Sequence, residues 1–398
     1  MSTVDRILTT HGGSLPRSER LLDVLMRVEA GDEVDRAEFR RVVAADADEA
    51  IGRQLDAGVD IGGDGELPRI GFSNYVKDRM SGFGGVADRG PLADFVDFPK
   101  YAELKQRTIE GGAQLAKTAT IHPVPQAQGR VAYDPERRAV EEEMDLFGDA
   151  LARAGGDRGF VDTFVTAASP GIISTTLLRA PDNPAYADDG EYLAELATEL
   201  RKEYEYIVEQ GHILQIDAPD LAMERQIMFR ERPLGDFLER AALHVEILNE
   251  SLSAIPRERV RMHVCWGNYD GPHVGDVALE PLLPILYEAN VGAISLPAAN
   301  PRHQHEHKVL RSCPPPESLV LIPGMIDVTY NYVEHPEVVA DRICQWADAI
   351  GDPSRVIAGT DCGFSTFAGN VLTAEDVVWE KLEALSEGAR IATARIWG

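Results

Sequence analysis

Nowhere does this 398-residue chain reach the run of about 18 apolar residues that a membrane-spanning helix needs, and its first ten residues, MSTVDRILTT, lack the apolar core of a secretory signal. Positive charge is scarce: 39 Lys and Arg stand against 66 Asp and Glu, a formal net charge of −27. No basic patch is segregated, and phosphate backbones and anionic membrane surfaces repel such a chain, so nucleic acid and membrane are not expected as partners. Cysteine is rare as well. The four present, Cys265, Cys313, Cys344 and Cys362, have no regular spacing and make no secreted disulfide framework. A soluble cytoplasmic protein is expected, with thiol or metal chemistry open to these cysteines; a homo-oligomer stays open too.

What the chain has is alternation. Strand-like segments at 6–10, 59–62, 160–171, 212–217, 259–265, 291–297, 318–324 and 355–359 each precede a stretch with helical spacing, the helices including 189–211, 234–254, 277–289, 304–310, 336–350 and 374–388. Strands alternating with helices of this length mean a parallel sheet, and eight such units predict an α/β fold of the (βα)8 TIM-barrel type, one domain over 1–398. Between the second and third barrel strands, at about 71–156, glycines and prolines interrupt the pattern. This excursion is expected to carry a hairpin from KTATIHPVP and QGRVAYD and a charged helix at 134–154, and to lie over a site or at an interface. His122 within it reads as structural or solvated.

The most informative stretch is RVRMHVCWGNYDG, 259–271, a strand running into a Gly-rich loop. Side chains two apart on a strand share a face, so His263 and Cys265 leave the strand end pointing the same way. An imidazole and a thiolate suit zinc, and the best candidate for a third ligand is Cys362 in VIAGTDCGF, after another apolar run; taken alone, the pair also reads as a buried free cysteine beside a histidine. Ser14 in HGGSLPR, Glu66 in GDGE, Asp217 in LQID and Asp327 in GMID also follow proposed strand ends. A (βα)8 barrel gathers those ends at the face where its active sites lie. For the Gly-Gly-Ser turn the plain reading is a turn; for Glu66 it is a solvated carboxylate.

These residues resemble the C-terminal catalytic domain of cobalamin-independent methionine synthase, and more closely its single-domain relatives, among them epoxyalkane:coenzyme M transferase. The resemblance runs through TTHGGSLPR (9–17), GDGE (63–66), LQIDAPDL (214–221), HVCWGNYDGPH (263–273), IPGMIDV (322–328) and GTDCGF (359–364), nearly the whole chain. It implies zinc on His263, Cys265 and Cys362, binding a thiol substrate that attacks an alkyl donor. It also implies that Glu66 and Asp217 surround the substrate's ammonium group, with the Ser14 region on its carboxylate. Methyl transfer to a thiol such as homocysteine follows as the leading expectation, methyltetrahydrofolate being one donor. Catalytic candidates are Glu66, Asp217 and Asp327, the last for orienting a ligand histidine or the donor, or merely capping a helix.

One position departs from that family. Its glutamate zinc ligand at the end of the sixth barrel strand is replaced by Pro297, which has no donor group. His303, His305, Glu306 and His307 lie just beyond in NPRHQHEHK, where a solvated helix face is the plain expectation. Two other readings stay open: an epoxide:thiol transferase, and a non-catalytic zinc- or amino-acid-binding relative.

Overall fold

A computed structural model of the chain describes residues 5–87, 89–112, 124–154 and 159–398, with backbone only at 108–112. The expected hairpin half at 117–123, with His122, lies outside the described residues. Eight parallel strands form the central sheet: β1 (Leu8–Thr9), β2 (Ile61–Gly63), β5 (Asp162–Ala168), β6 (Ile213–Asp217), β7 (Val260–His263), β8 (Ala293–Leu296), β9 (Val320–Ile326) and β10 (Ile357–Thr360). Their order is β1-β10-β9-β8-β7-β6-β5-β2, and a Thr10–Ile61 bridge joins the two ends. The sheet is thus the nearly closed (βα)8 barrel the alternation predicts.

Leu8, Ile61, Phe164, Ile213, Ala293, Val320, Ile322 and Ile357 form one small buried cluster, separate from the large apolar core of the molecule. The helices carry local signals for their ends. Ser18 caps Glu19–Glu29 by accepting from Leu21 N, and Gly351, at φ +78°, ends Pro336–Ile350 in the left-handed conformation that glycine adopts at no steric cost. Two helices depart from the periodicity. The stretch expected at 277–289 is helical only over Leu283–Leu286, because Pro281 and Pro284 remove backbone donors, and 304–310 is a 3-10 helix over Glu306–Arg311. Among the described residues no helix is long and apolar enough to cross a membrane.

In the excursion, QGRVAYD belongs to β4 (Gln126–Tyr133), whose antiparallel partner is β3 (Met80–Gly84). The expected pairing of this strand with 117–125 therefore lies almost wholly outside the described residues. The excursion is anchored through charge. Buried Arg69 donates to both oxygens of Glu143, from the helix Arg138–Ala154, at 2.7 and 3.0 Å, and Arg79 joins the same carboxylate at 2.6 Å. Arg79 also pairs with buried Glu203 at 3.0 Å, which accepts from Tyr75 at 2.7 Å and from Tyr133.

Candidate metal centre and active site

β7 ends at His263, in register with Asp217 of β6 and Ser295 of β8, so three polar side chains meet at one level of the barrel. His263 Nδ1 lies 3.1 Å from Ser295 Oγ, which fixes the ring. Two residues on stands Cys265, and the β10 loop brings in Cys362. Ligand atoms of His263, Cys265 and Cys362 all lie within 4.8 Å of one another, and all three side chains are buried. Hydrogen bonds from Cys362 and His263 pull the Cys265 thiol well below its ordinary range although burial opposes them; sharing that proton and burial raise Cys362. Two soft sulfurs and one imidazole are the donor set of a catalytic zinc site with an open position, so the residues present fit that ion. Among the described residues no further His, Cys, Asp or Glu joins this cluster.

The cysteines meet because glycines let two loops interlock. A Cβ on Gly12 would lie 2.3 Å from the Cys362 carbonyl carbon, and one on Gly363 would lie 2.1 Å from Ser14 Oγ. Ser14 Oγ accepts from Ser365 N, and the Gly12 and Gly13 N–H groups are taken by Thr360 Oγ1 and His11 Nδ1. The Gly-Gly-Ser segment packs the two loops together, and Gly12 and Ser14 also border the cavity that the three ligands line.

Glu66 and Asp217 border the same cavity, of about 330 Å³, as the three ligands. Glu66 is buried, against the solvated reading, and its backbone sits at φ +54°, strained for a residue with a Cβ. Buried Arg17 stabilises this turn by donating to the carbonyls of Glu66, Leu67, Arg69 and Ser365. One carboxylate oxygen of Glu66 accepts from Thr166 at 3.1 Å and the other is buried without a partner. Asp217 accepts from Gln215 at 2.8 Å, and Gln215 in turn accepts from buried Arg261, which stacks on Phe164. Burial and then Glu66 push the Asp217 carboxyl up to about 7, and burial raises Glu66 too. Two buried acids, one with an oxygen that lacks a hydrogen-bond partner, make a receptor for a cation. Ile70, Phe72, Met223 and Phe367 give the cavity an apolar part of its lining, and the excursion adds Arg89 and Leu92.

Asp327 departs from its expected roles. Its Oδ1 accepts from Thr329 N and Oγ1 at 2.8 and 2.7 Å in a local turn, it does not border the cavity, and the helix that follows is capped by His335. Ser295, not Asp327, holds His263. Pro297 is buried directly after β8, and the backbone beyond it is gripped by Asp361, which accepts from Ala298, Ala299 and Asn300 N at 2.8, 2.8 and 2.7 Å. His305 is exposed and His307 half-buried, but His303 and Glu306 are buried in a different cluster, against the expected solvated face. Ser295, Gln215, Arg261 and Thr166 escaped the sequence reading, although Arg261 shares a strand face with His263.

Buried Asp64, next to this turn, predicts a pH effect. Burial, then Glu143, raises its carboxyl to about 7 from an ordinary 3.8. A raised carboxyl pKa in the fold means that ionisation opposes folding, so stability falls as pH rises from about 4 to 7 and stays low above. Asp64→Asn, which keeps an acceptor for Glu66 N, is expected to gain up to about 4 kcal/mol at pH 8 and little at pH 4. Urea unfolding at both pH values measures this; an equal effect at both would show that Asp64 is ionised with compensation.

Fold and site together define a (βα)8 barrel that carries a His-x-Cys and Cys donor set beside two buried acids. The chain is similar over 396 residues to methionine synthase of Saccharolobus islandicus, at 23% identity, covering 98% of this chain and 96% of that one. A 177-residue stretch is 24% identical to 2-hydroxypropyl-CoM lyase of Xanthobacter autotrophicus; it takes in 38% of this chain and under half, 45%, of the lyase. The solved B12-independent methionine synthase from a Shewanella species superposes with TM-score 0.70 at 19% identity, covering 98% and 99% of the two chains. A vitamin-B12-independent methionine synthase structure from Listeria monocytogenes gives 0.61 at 18%, covering 100% and 99%. No family model matches the chain. The chain thus resembles cobalamin-independent methionine synthases along nearly its whole length and 2-hydroxypropyl-CoM lyase over part of it.

Proposed function

We propose that this chain, acting as a single cytoplasmic barrel domain, transfers an alkyl group, methyl foremost, to the thiol of an amino thiol such as homocysteine. His263, Cys265 and Cys362 are the residues that hold zinc. When bound, zinc lowers the pKa of the substrate thiol and orients it, so that no protein nucleophile is needed. The observation that carries the amino-thiol assignment is the pair Glu66 and Asp217, buried beside those ligands with one carboxylate oxygen unpaired. An ammonium group satisfies that oxygen and keeps both acids ionised. Ser295 keeps the His263 ring aimed, and the Gln215–Arg261 chain keeps Asp217 in place. The apolar part of the lining excludes water from the reacting sulfur and accepts an uncharged alkyl donor. Methyltetrahydrofolate, whose methyl-bearing ring is uncharged although its glutamate tail is anionic, is one donor to assay.

The partial likeness to the lyase and the apolar part of the lining favour a second reading, opening of an epoxide by the thiol. The thiol decides between them, because coenzyme M has a sulfonate and no ammonium. Glu66→Gln is expected to weaken homocysteine binding by about one to two decades, the roughly 1.5–3 kcal/mol of a charge-assisted hydrogen bond at a dry site. Mercaptoethanesulfonate binding should stay unchanged or tighten. Calorimetric titration of both thiols into wild type and variant tests this. Equal weakening of both, or of neither, would sink the amino-thiol reading and leave the epoxide reading standing.

A further inference from the structure

Beside the Cys265 loop lies a second convergent cluster. His273, Asp276 and His303 bring ligand atoms within 4.8 Å of one another, and their side chains are 4%, 2% and 4% exposed, so the group is closed to solvent. The tautomers follow from the outer partners. His273 Nε2 lies 3.1 Å from the Tyr269 carbonyl, which can only accept, so that nitrogen bears a proton. His303 Nδ1 makes no hydrogen bond but lies 3.6 Å from Glu306 Oε1, and a proton on that nitrogen would face the carboxylate favourably.

The two inner nitrogens, His273 Nδ1 and His303 Nε2, then face a single oxygen, Asp276 Oδ2, at 2.9 and 2.7 Å. Bare lone pairs aimed at an anion repel it, so with both outer nitrogens protonated the centre requires two positive charges. Two protons would create two neighbouring buried imidazoliums, which repel each other; one divalent cation supplies the same charge between the rings. An outer N–H held by a backbone carbonyl, as at His273, is the arrangement that orients a metal ligand, and the Glu306 carboxylate stands on the outer side of His303. The remaining Asp276 oxygen accepts from Gln226.

We infer that His273, Asp276 and His303 bind a second divalent cation of the zinc class, at a closed, structural site, with Glu306 positioning His303. Two imidazoles and a carboxylate suit such an ion. The site joins the loop after β7 to the loop after β8. Trp266, the residue after Cys265, stacks on His303 with ring centres 3.8 Å apart, so the cation stiffens the segment that presents Cys265.

Metal analysis after equilibration with zinc and gel filtration tests this on the full chain. Wild type is expected to hold two equivalents, and Cys265→Ser/Cys362→Ser one. Adding Asp276→Asn and His303→Gln to that variant should remove the last. Added zinc should raise the unfolding temperature of the double cysteine variant, and the rise should vanish with Asp276→Asn. With cobalt, the double cysteine variant should show visible absorption without a thiolate charge-transfer band. Asp276→Asn/His303→Gln in the wild-type background covers misfolding of the cysteine variant, since it should keep one equivalent and the thiolate band. A natively folded double cysteine variant that binds neither zinc nor cobalt would overturn the inference, leaving a proton-loaded His–Asp–His network. A wild type whose only metal disappears with Asp276→Asn/His303→Gln would instead refute the His263–Cys265–Cys362 site.

Discussion

Cys265→Ser is expected to lose the metal of the His263–Cys265–Cys362 centre and, with it, all thiol alkylation. A serine hydroxyl is almost the same size but stays protonated at neutral pH, so it offers no anionic soft donor, and two ligands remain from two strand ends. Removing even an outer partner of a metal ligand costs about 10–100-fold in affinity; loss of a direct ligand should exceed that. The backbone is expected to tolerate the change, because Cys265 packs in a loop whose geometry is held by Trp266 stacking on His303 and by Trp266 Nε1 donating to Val277 O at 2.7 Å. Metal analysis and a homocysteine methylation assay, with circular dichroism to check the fold, measure both effects. Wild-type metal content together with full turnover in the serine variant would remove the central claim.

Glu143→Gln should be the most damaging substitution outside the centre, costing about 3–5 kcal/mol of stability. Burial pushes the Glu143 carboxyl up, yet Arg69 and Arg79 outweigh it and hold it at about 2, below an ordinary 4.5. The neutral amide leaves two buried guanidiniums facing less negative charge. A depressed carboxyl pKa contributes stability that is complete above about pH 4.5 and is lost as pH falls towards 2, so the variant's stability should fall less steeply over that acid range. The damage should also reach the site, since Arg69 donates to Thr166 at 2.9 Å and Thr166 donates to Glu66. Urea unfolding from pH 7 to pH 3, with homocysteine affinity at pH 7, checks the chain of effects. A loss under about 1 kcal/mol at pH 7 would mean that water compensates the arginines and that the excursion is not locked by this pair.

How far the site was legible depended on sequence distance. His263 and Cys265 belong to one strand, and the two-residue period alone puts them on one face. Ser14, Glu66, Asp217 and Cys362 were legible as strand-end residues, because each follows an apolar run at a β-to-α junction. Asp327 satisfied the same rule and still serves a local turn, since following a strand does not settle where a short carboxylate points. The 277–289 helix failed because Pro281 and Pro284 outweigh hydrophobic spacing. The pairing of β4 with Met80–Gly84 was not legible, because hairpin signals point to the nearest segment and these strands lie more than 40 residues apart.

By itself the sequence determined the repeating strand and helix units, hence the parallel barrel, and the shared face of His263 and Cys265. Both follow from local periodicity, which each segment carries regardless of the others. Only the tertiary structure decided that Cys362 reaches Cys265, that Glu66 is buried with an unpaired oxygen, that Glu143 neutralises two arginines, and that His273 and His303 share Asp276. Those pairings depend on sheet register, on closure of β1 against β10 and β2, and on loops packed where glycine leaves room. No local pattern encodes them, because each free-energy term belongs to two segments far apart in the chain and exists only once the barrel has brought them together.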